Sequence, residues 1–243
     1  HDGCEAGEYR ADTLMLIHIS ASRSSVTVVS LPRDSWVLIP GHGVDKINAA
    51  FGLGGPRLTV ATVEQATGLT INDFVEVNFL GFVKVIDALG GVNICLPQAV
   101  DDPDSGLHLA AGVHHVNGIT ALKYARDRHS FAASDLTRIT DQQSLLSSLL
   151  KEAISSGTLA NPLRLSRFLS AALGVVKVDQ NLDLTALADQ LRGITPAEVH
   201  FLTVLLANTN YLTPGGESAV QWDSAAAGKL FAALGADQEV SGP

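Results

Sequence analysis

The feature that most constrains this chain is an alternation of short apolar runs with longer stretches of helical spacing. "DTLMLIHISA", residues 12–21, is apolar and reads as a buried strand. "SSVTVVSLP", residues 24–32, is β-branched and stops at a proline; the few polar residues between the two runs predict a hairpin. A helix is expected over "LGGPRLTVATVEQATG", with Pro56 in its first turn and Gly68 as its stop. "DFVEVNF", 73–79, alternates like a strand, "GFVKVIDALGG" has helical spacing with a glycine stop, and "VNICLP" is a short strand. Helices follow at 117–127, 134–157, 161–174 and 183–193. "VHFLTVLLA" reads as a late strand and "SAAAGKLFAALG" as a closing helix. Strands alternating with helices predict an α/β domain with helices packed on a sheet.

Composition narrows the function classes. The chain has 243 residues, 46% apolar and 17% charged, enough for a sizeable core in one large domain or two small ones. Its formal charge of -9 argues against a nucleic-acid binder, which would carry a broad basic surface. No apolar run reaches the roughly 18 residues that a bilayer span requires, and no signal peptide is visible at His1. Either a cytosolic protein or an ectodomain whose anchor lies outside this sequence fits. Two cysteines, Cys4 and Cys95, either pair with each other or remain as buried thiols.

Against that acidic background the cations are unevenly placed. Lys123, Arg126, Arg128 and Arg138, four of the 16 Lys and Arg residues, fall within one short stretch. Arg126 and Arg128 occupy alternate positions after a predicted helix, and in extended chain they point the same way. Two forked guanidinium groups suit a diphosphate. Arg138 and Gln142, four apart in the first turns of the 134–157 helix, share a face where free N–H groups favour an anion. Ion pairing with Asp127 and Asp135 is the structural alternative. "SLPRD" places Arg33 and Asp34 at a strand end, where open α/β sheets commonly carry function, and "GVDKINAAF" supplies Lys46 and Asn48 just before a helix. Arg10 and Asp12 begin the first strand. Asp12 is either a counter-ion for the arginines or a carboxylate for Mg²⁺, which binds through one or two carboxylates plus phosphate oxygens. The sequence contains no Walker loop, GxSxG elbow, HExxH helix or zinc-type cysteine pair.

Taken in order, "RADTLMLIHI", "VSLPRDSWVLIPG", "KINAAFGLGGP", "TGLTINDFVEVNFLGFVKVIDALGGV", "AAGVHHVNGITALKYARDRH" and "RITDQQ" resemble the LytR–CpsA–Psr family of bacterial cell-wall enzymes. The match runs from about residue 10 to residue 156 and is weak beyond it. The resemblance implies a single catalytic domain over 1–243, an α/β/α sandwich with a central mixed β-sheet and helices on both faces. It implies a phosphotransferase on the outer face of the bacterial cytoplasmic membrane, held there by an N-terminal anchor. Such an enzyme takes a phosphoglycosyl polymer from a polyprenyl-pyrophosphate carrier and passes it to peptidoglycan, with Mg²⁺ as cofactor.

Carried over motif by motif, the resemblance assigns Arg126, Arg128, Arg138 and Gln142 to the pyrophosphate, with Arg10 and Lys46 beside them. Arg33, Asp12 and Asp34 become the catalytic group, Asp12 also as the Mg²⁺ ligand. A prenyl tunnel is expected along 79–89 and 145–154, with Phe79, Phe82, Val83, Ile86, Leu146, Leu149 and Leu150 as candidate walls, although most of these also suit a core. An extracytoplasmic site favours a Cys4–Cys95 disulfide. Three departures from the pattern stand out. A further strand and an acidic loop are expected before the first visible strand, Thr137 replaces a usual glycine, and Asp141 replaces a usual basic residue. The alanine-rich helices and the cysteine pair suggest an actinobacterial relative, with arabinogalactan or another wall glycan as the polymer. A non-catalytic prenyl-lipid-binding regulatory module and a soluble pyrophosphatase are the rival readings.

Overall fold

The computed structural model describes residues 13–96, 98–103, 105–126, 145–149, 152–153, 168, 170, 176–179, 182–191 and 193–240. Within them the α/β class expected from the sequence holds. The chain divides into two compact units. The first comprises 1–21, 26–74 and 200–243, the second 22–25 and 75–199.

In the first unit, β1 (Leu14–Ile19) and β2 (Val26–Leu31) form the expected antiparallel hairpin, with Leu14 opposite Leu31 and Ile19 opposite Val26. On the far side of β2 lies β11 (Val199–Thr203). Every residue of β2 is buried. A central strand covered on both faces needs no polar alternation, which is why this run reads as continuously β-branched. The hairpin of β3 (Trp36–Ile39) and β4 (Gly43–Lys46), absent from the sequence reading, follows at once.

Helix α1 (Ala49–Thr67) begins earlier than its glycine pair suggested. Gly54 and Gly55 break the helical geometry, and Pro56 starts the second segment. Gly55 has φ 63°, a conformation that a side chain resists. Gly68 ends the helix in the left-handed region, its N–H donating to the Glu64 carbonyl. The expected late strand splits at Val204–Leu205 into β11 and β12 (Leu206–Leu212), and β12 pairs with β13 (Ser218–Trp222). The closing helix α5 (Ser224–Gly235) is capped by Asp223, whose carboxylate accepts from the Ala225 and Ala226 amides. Leu16, Val29, Leu31, Ile47, Val63, Val204, Ala227, Phe231 and Leu234 form the core of this unit.

The second unit carries β5 (Val75–Val77), α2 (Phe79–Leu89), β6 (Val92–Leu96), β7 (Val100–Asp102), β8 (Leu107–Leu109), β9 (Gly112–Val116), α3 (Gly118–Arg126), β10 (Val176–Val178) and α4 (Leu184–Leu191). Asn78 caps α2 by accepting from the Gly81 amide at 2.7 Å. Strand β6 alternates, with Val92, Ile94 and Leu96 inward and Asn93 and Cys95 outward. Its inward residues join Ile86, Val100, Leu107, Val116, Ala121, Tyr124 and Leu145 in a second core. Residues 145–149 and 152–153 are helical, in agreement with the expected long helix; the rest of that helix lies outside the described residues.

Candidate functional site

Leaving β2, the chain makes a turn at Pro32–Ser35 that carries Arg33 and Asp34. The Ser35 amide donates back to the Pro32 carbonyl at 3.0 Å, and the Ser35 hydroxyl donates to the same oxygen at 2.6 Å. Asn48 N–H donates to the Arg33 carbonyl at 3.1 Å, Val220 N–H to that of Asp34 at 2.9 Å, and Ile47 N–H to that of Ser35 at 2.8 Å. Trp222 Nε1 donates to Ser35 Oγ at 2.7 Å, and its indole packs on Phe231 with centroids 5.7 Å apart. All four carbonyls of the turn are therefore bonded, by donors from the turn itself, from the start of α1 and from β13. A turn fixed at every carbonyl pays little reorganisation when a ligand arrives, the property that electrostatic catalysis requires.

Three charged side chains converge there with a fourth from the β12–β13 loop. Arg33 Nε lies 3.4 Å from Asp34 Oδ2, Lys46 Nζ lies 3.7 Å from Asp34 Oδ1, and Lys46 Nζ lies 3.4 Å from Glu217 Oε2. The Asp34 carboxylate thus sits between two cations and holds them near each other. Arg33, Asp34 and Lys46 are largely buried, whereas the Glu217 side chain is 62% exposed. Partial burial lowers the effective dielectric, so the cations act on an anion more strongly than surface groups would. Asn48, at 3% exposure, holds the N-cap position of α1 next to this turn without a side-chain capping bond, and its Oδ1 has no hydrogen-bond partner among the described residues.

Of the residues selected from sequence, the structure brings together Arg33, Asp34 and Lys46. Arg10, Asp12, Arg128, Arg138, Gln142 and Leu150 lie outside the described residues, as do Asp127 and Asp135. Arg126 closes α3, a helix end that favours a cation. Lys123, part of the same cationic stretch, donates to the Gly106 carbonyl at 3.0 Å and so ties α3 to the β7–β8 connection. His115 lies within hydrogen-bonding distance of Asn93 Oδ1 and the Gly90 carbonyl, and His114 of the Ala110 carbonyl, which gives both a structural role.

Among the expected tunnel residues, Ile86 has no exposed surface, and Phe82 and Leu149 pack against its cluster, the environment of core residues. Val83 and Leu146 are partly buried, while Phe79 is 48% exposed at the start of α2. Cys95 is exposed and carries no disulfide in this structure; its expected partner Cys4 lies outside the described residues. No group of three or more His, Cys, Asp or Glu side chains among the described residues is arranged to hold a metal, and the Asp34 carboxylate already faces two cations. No helix among them is long and apolar enough to cross a membrane.

Sequence reading named Asn48 beside Lys46 but missed Ser35, Trp222 and Glu217. Ser35 sits beside a recognised motif, so adjacency was the available signal. Trp222 reaches Ser35 from 187 residues away and Glu217 reaches Lys46 from a similarly distant part of the chain, and nothing local marks them.

The fold is α/β, and its strand-end turn holds two partly buried cations around one carboxylate, a geometry suited to an anion. A model of the LytR–CpsA–Psr family matches residues 2–234, and this chain belongs to that family. The "Probable cell wall biosynthesis protein LcpB" of Corynebacterium glutamicum is 39% identical over 96% of this chain and 55% of its own length. The "Cell wall biosynthesis protein LcpA" of the same organism is 34% identical over 87% of this chain and 46% of its own length. The chain thus spans about half the length of these relatives, and they agree with the actinobacterial kinship expected from sequence. Among solved structures, Bacillus subtilis TagV superposes with a TM-score of 0.84 at 27% identity, covering 98% of this chain and 93% of that one. A structure of TagT bound to LI-WTA gives a TM-score of 0.75 at 26% identity, covering 95% and 86%.

Proposed function

We propose that this chain is a glycopolymer phosphotransferase that moves a phosphoglycosyl polymer from a polyprenyl-pyrophosphate carrier to peptidoglycan. The observation that carries the reading is the turn at 32–35, fixed at every carbonyl and presenting Arg33 beside Lys46. Relatives described as teichoic acid transferases support it: TagU of Oceanobacillus iheyensis is 33% identical over 78% of this chain and 61% of its own length.

In this scheme an acceptor hydroxyl oxygen attacks the sugar-proximal phosphorus. The bond from that phosphorus to the bridging oxygen breaks, polyprenyl phosphate leaves with the electron pair, and the hydroxyl proton passes to solvent. Such transfer is chiefly positioning and charge neutralisation, so no covalent nucleophile on the protein is needed. Arg33 faces the charge that develops as the bond breaks, and Asp34 orients Arg33. The family resemblance assigns the pyrophosphate to Arg126, Arg128, Arg138 and Gln142 and, less directly, to Lys46 and Arg10. An extracytoplasmic location at the membrane, where carrier and acceptor meet, completes the reading.

The deciding experiment incubates the protein with a lipid-linked glycosyl pyrophosphate and peptidoglycan, then measures polymer on the wall and prenyl phosphate released. Carrier bound without turnover would make the chain a non-catalytic lipid binder. Phosphate released without any acceptor would make it a pyrophosphatase.

Each charge-assisted contact to the pyrophosphate contributes roughly 1.5–3 kcal/mol. Arg126→Ala and Arg128→Ala should therefore each weaken prenyl-pyrophosphate binding by about ten- to a hundredfold. Lysine at either position should restore it only in part, because an ammonium lacks the fork. Surface pairs with Asp127 and Asp135 would instead leave a titration curve at its wild-type midpoint.

Mg²⁺ would supply further neutralisation of the pyrophosphate, arriving with the substrate and held by Asp12. Asp12→Asn is then expected to raise the Mg²⁺ concentration needed for half-maximal turnover more than it lowers lipid affinity. An unchanged Mg²⁺ dependence would remove Asp12 from that role.

For the oxidised protein we keep the Cys4–Cys95 pairing. Closing a loop of about 90 residues is worth roughly 4 kcal/mol in entropy models. Intact mass after alkylation without reductant should show no added label; two labelled thiols would exclude the bond.

A further inference from the structure

The β3–β4 hairpin has one face in the core and one outside. Ile39 is fully buried and Val37 packs on the core, so alternation turns Trp36 and Leu38 outward. Trp36 lies directly opposite Lys46, and Leu38 opposite Val44, on that outer face. Leu38 and Val44 are about half exposed, at 49% and 50%. Tyr211 of β12 approaches from the side, its ring 6.2 Å from that of Trp36 at an interplanar angle of 46°. Both residues are mostly covered but keep some exposed surface. Neither ring belongs to the core clusters, and the mechanism uses neither.

We propose that Trp36 and Tyr211 form a platform for the first sugar of the glycan joined to the pyrophosphate. This rests on the pyrophosphate reading given above. The link is positional: Lys46 is at once the cross-strand partner of Trp36 and the cation bracketed by Asp34 and Glu217. Opposed residues in an antiparallel ladder stand about 5 Å apart, the width of one pyranose ring. A sugar bonded to a phosphate at Lys46 therefore reaches the ring pair without a spacer.

The chemistry also fits a sugar. A pyranose has an apolar face of C–H bonds and a rim of hydroxyls. Aromatic faces bury the former, and polar groups beside them bind the latter. Strand β12 carries exposed Asn208, Thr209 and Asn210 immediately before Tyr211.

The test compares two probes by calorimetry: geranyl pyrophosphate, and the same pyrophosphate bearing N-acetylglucosamine. Trp36→Leu and Tyr211→Leu should each weaken the glycosylated probe by about tenfold and leave geranyl pyrophosphate unchanged. Lys46→Ala should weaken both. The platform is overturned if both leucine variants keep the wild-type preference for the glycosylated probe, or if they weaken the two probes equally, which would assign the rings to the prenyl chain. Should Trp36→Leu fail to fold, Tyr211→Leu and Trp36→Phe decide between the same outcomes. Unchanged binding of both probes in Lys46→Ala would refute the pyrophosphate reading itself.

Discussion

Replacing Arg33 with alanine should lower turnover by about a hundred- to a thousandfold, the usual effect of removing one preorganised donor aimed at developing charge. Affinity for the carrier should fall far less, because ground-state binding is shared with the other cations. The turn should survive the change. Its hydrogen bonds run through the carbonyls of Pro32, Arg33, Asp34 and Ser35 and through the Ser35 and Trp222 side chains, none of which needs the guanidinium. A thermal midpoint near wild type, with turnover lost, would separate a catalytic from a structural role. Arg33→Lys should recover part of the rate, since charge returns without the planar fork. If turnover and affinity fall equally, Arg33 binds the ground state and the transition-state assignment fails.

The second large effect is structural and lies in the other unit. Gly118 begins α3 against the backbone of α2. A Cβ built there would lie 2.3 Å from the Val83 carbonyl oxygen and 2.7 Å from its Cα. Backbone atoms cannot rotate away, so Gly118→Ala must move one helix off the other and disturb the bond from the Gly118 amide to Asp87 Oδ1. Overpacking of this kind costs about 3 kcal/mol or more. In a protein of this size that lowers the melting temperature by roughly 6–12 °C. Gly228→Ala is the control. It sits within α5 with open space around it, so alanine should be neutral or slightly stabilising by about 0.5–1 kcal/mol. A Gly118→Ala protein that melts with wild type would show that α2 can yield. Because α3 ends at Arg126, the close approach at Gly118 also fixes where that arginine's backbone emerges.

Local signals were enough for much of the architecture. Gly68 and Gly90 stop their helices in left-handed geometry, as a residue without a Cβ does readily. The β1–β2 hairpin, β6, α2, α3 and α5 follow from apolar spacing, because periodicity of 2 or 3.6 is dictated by which side faces the core. Where the signal was short it failed. The β3–β4 hairpin hid in "SWVLIPGHGVDK", which carries no long apolar run, and α1 extends across a glycine pair that sequence alone reads as a boundary. The late strand was read as one because its apolar run continues through Val204 and Leu205, where the pairing partner changes.

By itself the sequence determined the family and the residue types of the site: arginines, a lysine and carboxylates at strand and helix ends. Those are local choices, written in adjacent residues. Only the tertiary structure decided what each cation does. It joined Lys46 to Asp34 and Glu217, turned Lys123 onto the Gly106 carbonyl, and locked the Arg33 turn with Val220 and Trp222. A charge finds its partner by distance in space, and residues 34 and 217 become neighbours of Lys46 only once β3, β4 and β13 have packed together.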